Sequence, residues 1–106
     1  MGSDGCWIYI LQCTDGSYYT GSTRNLPEQR LAEHNHGFDE KAYTISRRPV
    51  SLVYAEHFPV ITDAIACERQ IKGWSRAKKE ALIARKFDLL HHLSKRGPAN
   101  KLINKS

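Results

Sequence analysis

The chain has 106 residues, 41% of them apolar, and a formal net charge of +5. This length suits one compact domain and is too short for two ordinary ones. The apolar content excludes a chain that stays disordered for lack of a core.

The cysteines and the apolar runs exclude further classes of protein. Cys6, Cys13 and Cys67 form no C-x-x-C pair, so neither a zinc knuckle nor a disulfide framework is indicated. No basic flank precedes a long apolar core near the N-terminus, and no apolar run approaches the length of a membrane span. We expect a soluble cytoplasmic protein with no membrane partner.

Charge is divided unevenly along the chain. Residues 1–68 hold five Lys and Arg against nine Asp and Glu, a balance of −4, whereas residues 69–106 hold eleven against two, a balance of +9. A basic surface attracts a polyanion because each phosphate contact releases counterions. The alternative is a solvated helix face, and charge alone leaves both interpretations open.

The chain begins with a predicted β-hairpin. Residues 6–12 (CWIYILQ) are apolar and rich in β-branched and aromatic residues, which is typical of a buried strand. The turn signal at residues 14–16 (TDG) precedes a second short strand at residues 17–22 (SYYTGS). The spacing therefore predicts two antiparallel strands joined by a tight turn.

The length of that turn decides whether Tyr9 and Tyr19 can act together. A two-residue turn would place the two tyrosines on opposite faces of the hairpin. A three-residue loop over 14–16, closed by Gly16 in the left-handed region, sets Tyr19 opposite Leu11, which shares the face of Tyr9. We favour the second register and expect both hydroxyls on one surface.

A helix, a loop and a third strand come next. Asn25 can cap the helix, Pro27 suits its first turn, and Gly37 ends it. Residues 37–49 mix glycine, proline and charge without a period and predict a loop. Residues 51–57 (SLVYAEH) predict a strand.

Two further helices follow. Thr62 and Asp63 predict the cap of the first, whose apolar positions recur at helical spacing as far as Trp74. The second begins near Ser75 or Arg76 and carries apolar positions up to the stop at residues 97–98. The order β-β-α-β-α-α predicts an α+β fold, with one domain over 1–98 and a frayed tail over 99–106.

Candidate chemistry lies on the two earlier helices. Arg30 and His34 are spaced i, i+4, so they project from one face, and a guanidinium beside an imidazole suits a phosphate. Glu68 can hold Mg²⁺ if phosphate oxygens and water complete the octahedron. The alternatives are a solvent-exposed face for the first pair and a surface pair of Glu68 with Lys72 for the second.

The combination of these parts resembles the GIY-YIG nuclease superfamily, and is most similar to its small single-domain bacterial members. The residues that carry the resemblance span residues 7–79: Trp7-Ile8-Tyr9, then Tyr19-Thr20-Gly21, Arg30, His34 and Glu68. The resemblance implies a three-stranded antiparallel sheet flanked by helices, and metal-dependent hydrolysis of DNA phosphodiesters with Mg²⁺ or Mn²⁺.

The resemblance also implies roles for these residues. Glu68 would ligate the metal and Arg30 would stabilise the charge of the phosphorane. Tyr9 or Tyr19 would deprotonate the attacking water, with a slight preference for Tyr19, and His34 would support the tyrosine or the phosphate. Because the reference pKa of tyrosine is near 10, Arg30 or the metal would have to lower it.

The sequence departs from the family pattern at Trp7, Thr20 and Ser22, and it has no clear equivalent of an asparagine that assists the metal site in other members. Trp7 stands where the family has the glycine that names its first motif, and Thr20 stands where it has isoleucine; a strand accepts either residue. Ser22 stands where some relatives carry a lysine. Gly21 completes the second motif, and we interpret it, with Gly16 of the turn, as structural.

Basic and aromatic side chains suggest how DNA would be held. The loop over 37–49 interleaves basic residues with an aromatic one, a combination that can grip a backbone and stack a base. The basic C-terminal third could extend that surface. The residues predicted to bind nucleic acid are Lys41, Tyr43, Arg47, Arg48, Arg69, Lys72, Arg76 and Lys79.

Three functions are compatible with the sequence. The first is a structure-selective or single-strand-directed DNA endonuclease of repair or maintenance, with little sequence specificity because no groove-reading module is recognisable. A protein partner could then supply specificity. The alternatives are a non-catalytic nucleic-acid-binding module on the same scaffold and a protein-interaction adaptor.

Overall fold

The structure is a computed structural model that describes residues 5–37 and 43–94. It contains a three-stranded antiparallel sheet and four helices, which confirms the predicted α+β class. The elements are β1 (Cys6–Gln12), β2 (Tyr18–Thr23), α1 (Pro27–His36), β3 (Ser51–Phe58), α2 (Ile61–Lys72), α3 (Arg76–Ile83) and α4 (Phe87–Ser94).

The chain divides into two compact units, Met1–Glu68 and Arg69–Ser106, and the boundary falls within α2. The predicted extent of one domain over 1–98 stays a prediction, and the predicted tail over 99–106 lies outside the described residues. None of the described helices is long and apolar enough to cross a membrane.

The hairpin has the three-residue loop. The amide of Cys13 donates to the carbonyl of Ser17 at 2.8 Å, and the amide of Gly16 donates to the carbonyl of Cys13 at 2.9 Å. Gly16 has φ 85°, in the left-handed region that a residue with a Cβ rarely adopts. Tyr19 pairs with Leu11, so the predicted register is confirmed.

The central strand β1 pairs with β2 on one side and β3 on the other. Its residues from Ile8 to Leu11 are at most 1% exposed, because both faces of the strand are covered. Tyr9 and Leu11 belong to one core cluster with Cys13 and Val50. The strand that carries the first motif is therefore the most buried segment of the sheet.

Helix α1 begins and ends at residues set by proline and glycine. Leu26 is its N-cap in an extended conformation, since the residue before a proline avoids the helical region. The prediction that Asn25 caps the helix is wrong: the Asn25 amide instead donates to the hydroxyl of Thr23 at 3.0 Å. Gly37, at φ 69°, ends the helix as predicted.

Helix α2 begins at Ile61, ahead of the cap that was predicted at Thr62 and Asp63. The amides of Asp63 and Ala64 both donate to the carbonyl of Val60, which places Thr62 and Asp63 inside the first turn and not at the cap. Asp63 there faces the positive end of the helix dipole. At the other end the amide of Trp74 donates to the carbonyl of Ile71, three residues back, and Trp74 lies beyond the helix.

The last predicted helix is two helices. Ser75 caps α3 by accepting a hydrogen bond from the Lys78 amide at 3.2 Å, so the predicted start is confirmed. The amide of Lys86 then donates to the carbonyl of Ala81 at 2.9 Å around Arg85, which has φ 59°. This Schellman-type end stops α3 although an arginine, not a glycine, takes the left-handed position. Helix α4 packs against α3 within the second unit.

Candidate active site

Tyr9 and Tyr19 lie on the same face of the hairpin. Their ring centroids are 6.3 Å apart, and Gly21 is the direct strand partner of Tyr9. A Cβ at Gly21 would stand 2.6 Å from the Tyr9 hydroxyl oxygen and 3.1 Å from Cε2 of Tyr19. Both tyrosine rings can therefore pack against Gly21 only because this residue has no side chain.

Helix α1 presents His34 to the tyrosines. Nε2 of His34 lies 3.3 Å from the Tyr9 hydroxyl, and the imidazole centroid lies 5.0 Å from that of Tyr19. His34 is buried, with 6% of its surface exposed. The predicted i, i+4 face therefore points at the sheet, and for His34 the solvent-exposed alternative does not hold.

Arg30 reaches the same tyrosine from one turn earlier in α1. Its guanidinium donates a hydrogen bond to the Tyr9 oxygen and forms an ion pair with Glu33. The bond to Tyr9 is the largest cause of the raised pKa of Arg30, so this side chain stays charged. Two side chains of α1 thus converge on one phenolic oxygen.

The pKa of Tyr9 lies above its ordinary value of 10.0 because burial disfavours the phenolate. The hydrogen bond and the charge of Arg30 act in the opposite direction. The charges of Tyr19 and Glu68 raise the pKa further, which places the Glu68 carboxylate within electrostatic reach of the Tyr9 oxygen. Tyr9, Tyr19, Arg30 and His34 therefore share one environment inside the first unit, and the charge of Glu68 acts on the Tyr9 hydroxyl.

Glu68 is half-buried in α2. Within residues 5–37 and 43–94, no group of three or more His, Cys, Asp and Glu side chains could enclose a metal ion. That donor set does not fit structural zinc, which takes four protein ligands. It fits Mg²⁺ or Mn²⁺, because Mg²⁺ is commonly held by one or two carboxylates with water and substrate phosphate.

Residues 43–47 of the loop after α1 lie beside the tyrosines. The Tyr43 ring is nearly parallel to that of Tyr19, with centroids 6.3 Å apart, and the Arg47 guanidinium carbon lies 3.8 Å from the centroid of Tyr43. Nε of Arg47 also donates to Asp15 in the hairpin turn at 3.1 Å. The loop and the turn are thereby fastened to each other beside the tyrosines.

Comparison with known proteins identifies this arrangement. A family model described as the GIY-YIG catalytic domain matches residues 5–81. The chain belongs to the GIY-YIG family. The match includes the hairpin, Arg30, His34 and Glu68, and it indicates a nuclease-type domain.

Similar proteins and structures agree with this membership. The chain is 47% identical over 81 residues to a UPF0213 protein of Staphylococcus saprophyticus, covering 76% of this chain and 96% of that one. It is 47% identical to a UPF0213 protein of Halobacterium salinarum, covering 71% and 95%. The solution NMR structure of a protein from E. faecalis matches with a TM-score of 0.55 and 37% identity, covering 81% and 88%.

The other residues predicted to bind nucleic acid have varied surroundings. Arg48 donates to the carbonyls of Ile45 and Asn35, so its guanidinium links the loop after α1 to that helix by a hydrogen bond. Lys41 lies outside the described residues. The remaining four lie in the second unit: Arg69 and Lys72 are exposed, Arg76 pairs with Glu80 at 2.9 Å, and burial lowers the pKa of Lys79.

Sequence reasoning missed three residues that shape the site. Thr44, which is 1% exposed, places its hydroxyl 2.6 Å from Nδ1 of His34. Glu33 pairs with Arg30, and Asp15 pairs with Arg47. The i, i+3 spacing of Arg30 and Glu33 was a usable signal, whereas nothing local distinguishes Thr44 within an aperiodic loop.

Proposed function

We propose that this protein is a metal-dependent endonuclease that hydrolyses DNA phosphodiester bonds. The observation that carries the proposal is the convergence on the Tyr9 oxygen, which is bonded to Arg30 and His34 and lies within electrostatic reach of Glu68. Phosphodiester hydrolysis requires a base, a fixed positive charge and a metal ligand near one another. The first unit supplies a candidate for each.

Arg30 is the group proposed to stabilise the transition state. A pentacovalent phosphate carries more negative charge than the diester, so a fixed guanidinium stabilises it more than the ground state. Tyr9 and Glu33 hold the Arg30 side chain from two sides, which limits the reorganisation needed during the reaction. The side chain is 36% exposed, so a phosphate can approach it.

Tyr9 is the proposed general base. The sequence slightly favoured Tyr19, but the contacts with Arg30 and with His34 both belong to Tyr9. Arg30 favours the phenolate of Tyr9, but burial outweighs it and holds the pKa above 10.0, so a bound metal would have to lower that pKa for Tyr9 to act as a base near neutral pH. We assign Tyr19 a packing role, because its ring contacts those of His34 and Tyr43.

Glu68 is the proposed metal ligand. A bound Mg²⁺ or Mn²⁺ would act as a Lewis acid on the phosphate and favour departure of the leaving oxygen. The Glu68 carboxylate would hold that cation. The role of the α1 residues does not depend on the identity of the cation.

The proposed substrate is DNA with unpaired or branched structure, in repair or maintenance, in the cytoplasm. The second unit carries a balance of +9, which suits a phosphate backbone without base readout. We infer that specificity comes from DNA shape or from a protein partner. The described residues include no recognition helix of a known groove-reading motif.

A cleavage panel tests this function. Single-stranded, duplex and branched DNA would each be incubated with the protein in Mg²⁺, in Mn²⁺ and in EDTA. We expect metal-dependent product from at least one substrate, its loss in Glu68→Ala and Arg30→Ala, and its retention in Arg24→Ala, which removes an exposed arginine elsewhere in the first unit. Salt-sensitive binding with no product under any metal would favour the non-catalytic module instead.

A further inference from the structure

We propose that Thr44 is a positioning residue that fixes the tautomer of His34, so that Nε2 carries the proton and donates it in a hydrogen bond to Tyr9. The inference concerns the same site and its catalytic consequence rests on the proposed function. The tautomer itself is a property of the folded protein without metal or DNA, so it can be measured separately.

Thr44 and His34 form a short, buried contact. The Thr44 hydroxyl oxygen lies 2.6 Å from Nδ1 of His34, and the two residues are 1% and 6% exposed. On the other side of the ring, Nε2 lies 3.3 Å from the Tyr9 hydroxyl. A neutral imidazole has one donor and one acceptor nitrogen, so the partner of one nitrogen determines what the other can do.

The acceptors available to the Thr44 hydroxyl decide whether it donates to His34 or accepts from it. Among the described residues, the partner of the Thr44 hydroxyl is His34. If it accepted a proton from Nδ1, its own buried O–H would have no acceptor within residues 5–37 and 43–94, which is a costly arrangement. If it donates to Nδ1, its proton is satisfied and the ring proton is on Nε2.

The proton on Nε2 then points at Tyr9. Together with the Arg30 guanidinium, it gives the phenolic oxygen two donors. Both bonds strengthen when that oxygen becomes negative, so both favour the phenolate over the phenol. The O–H of Tyr9 then points away from His34 and Arg30, and its acceptor is the attacking water of the proposed function.

Thr44 is itself held in place by the hairpin turn. Its carbonyl accepts a hydrogen bond from the Arg47 amide at 2.9 Å, and the Arg47 carbonyl accepts bonds from the amide and the hydroxyl of Thr14. The Arg47 side chain pairs with Asp15 in the same turn. The turn that sets the register of the tyrosines therefore also anchors the residue that orients His34.

Nitrogen NMR of the histidine rings tests the proposal directly. In ¹⁵N-labelled wild type without metal or DNA, we expect a bare, pyridine-type Nδ1 resonance and a protonated, pyrrole-type Nε2 resonance for His34. Thr44→Ser keeps the hydroxyl and should keep this pattern. Thr44→Val, which removes the hydroxyl at nearly constant shape, should convert it to a mixture of tautomers.

A matched control is available within the sheet. Thr20 is 3% exposed and its hydroxyl has no partner among the described residues, so Thr20→Val should leave the His34 resonances unchanged. If the protein cleaves DNA, Thr44→Val should lower kcat by about 10-fold with KM unchanged, as for other groups that orient a catalytic side chain. Thr44→Ser should restore kcat.

Three results would overturn the proposal. One is a wild-type His34 protonated on Nδ1 alone, and another is a ring protonated on both nitrogens at pH 7.5. The third is a folded Thr44→Val with an unchanged tautomer. Should Thr44→Val fail to fold, Thr44→Ala takes its place, and an unchanged tautomer in that variant would equally overturn the proposal. A correct tautomer in a protein that cleaves no DNA would contradict only the proposed function.

Discussion

The hydroxyl of Tyr9 lies 3.3 Å from Nε2 of His34, although the two residues are 25 positions apart in the chain. One belongs to the buried central strand and the other to helix α1, which contacts that strand. Because both are held by packed elements, the imidazole and the phenol keep a fixed geometry. This contact joins the first motif of the family to its helix.

Gly21 should tolerate no side chain. In Gly21→Ala the new Cβ would stand 2.6 Å from the Tyr9 oxygen and 2.7 Å from Cζ, so the ring must move. We expect a loss of about 1–3 kcal/mol in the free energy of unfolding, as for other overpacked cores, and loss of cleavage. Urea denaturation measures the first effect. Gly73→Ala, where the nearest atom to a Cβ is 3.6 Å away, is the control and should be close to neutral.

The cleavage rate should rise with pH between 7 and 9. Burial holds the pKa of Tyr9 above 10.0, so the phenolate is the minor form in this range and increases about tenfold per pH unit. Tyr9→Phe should lower the rate by about 100-fold or more and remove this dependence. Single-turnover rates at several pH values measure both. A Tyr9→Phe that keeps the slope, beside a Tyr19→Phe that loses it, would assign the base to Tyr19.

The affinity for duplex DNA should fall as the salt concentration rises, because basic residues of the second unit are expected to contact the phosphates. Arg69 is exposed in a unit with a balance of +9, so Arg69→Gln should reduce the slope of log affinity against log salt by about 0.9, the value for one phosphate contact. Arg24→Gln removes an exposed arginine from the unit with a balance of −4 and should not change the slope. Fluorescence anisotropy titrations at several salt concentrations measure this. Equal slopes for wild type and Arg69→Gln would remove Arg69 from the interface.

Cys67 should make the protein less stable at alkaline pH. Burial raises the pKa of its thiol from 9.0 to about 11, and the charge of Glu56 adds to the effect. The unfolded chain therefore ionises first, and the stability contributed by the neutral thiol is complete below pH 9 and is lost as pH rises towards 11. Unfolding free energies from pH 8 to 11 should fall less steeply in Cys67→Ala. Parallel curves for the two proteins would contradict the assignment.

The sequence predicted the parts of the site that depend on local chemistry. Gly16 closes the hairpin loop and thereby sets the register of Tyr9 and Tyr19, which is why turn chemistry alone was sufficient. The spacing of Arg30 and His34 placed them on one helical face, but only the packing of α1 on the sheet shows that this face is buried.

The features that the sequence did not predict depend on tertiary contacts or on an unusual residue choice. Thr44 meets His34 across ten positions and an aperiodic loop, so no period or spacing connects them. The break between α3 and α4 was missed because Arg85 takes a left-handed conformation that usually requires glycine. Arg47 was predicted to contact the DNA backbone. Its hydrogen bonds to Asp15 and Tyr43 were not predicted, because they depend on how the loop folds onto the hairpin.

The central claim is that Glu68 and the residues around Tyr9 form one metal-dependent nuclease site. Its most direct test is the single-turnover rate of DNA cleavage in Mg²⁺ by wild type and by Glu68→Gln, with DNA affinity measured in parallel. The account predicts that the substitution lowers the rate by about 100-fold or more while affinity stays within about twofold. Equal rates for the two proteins would contradict it.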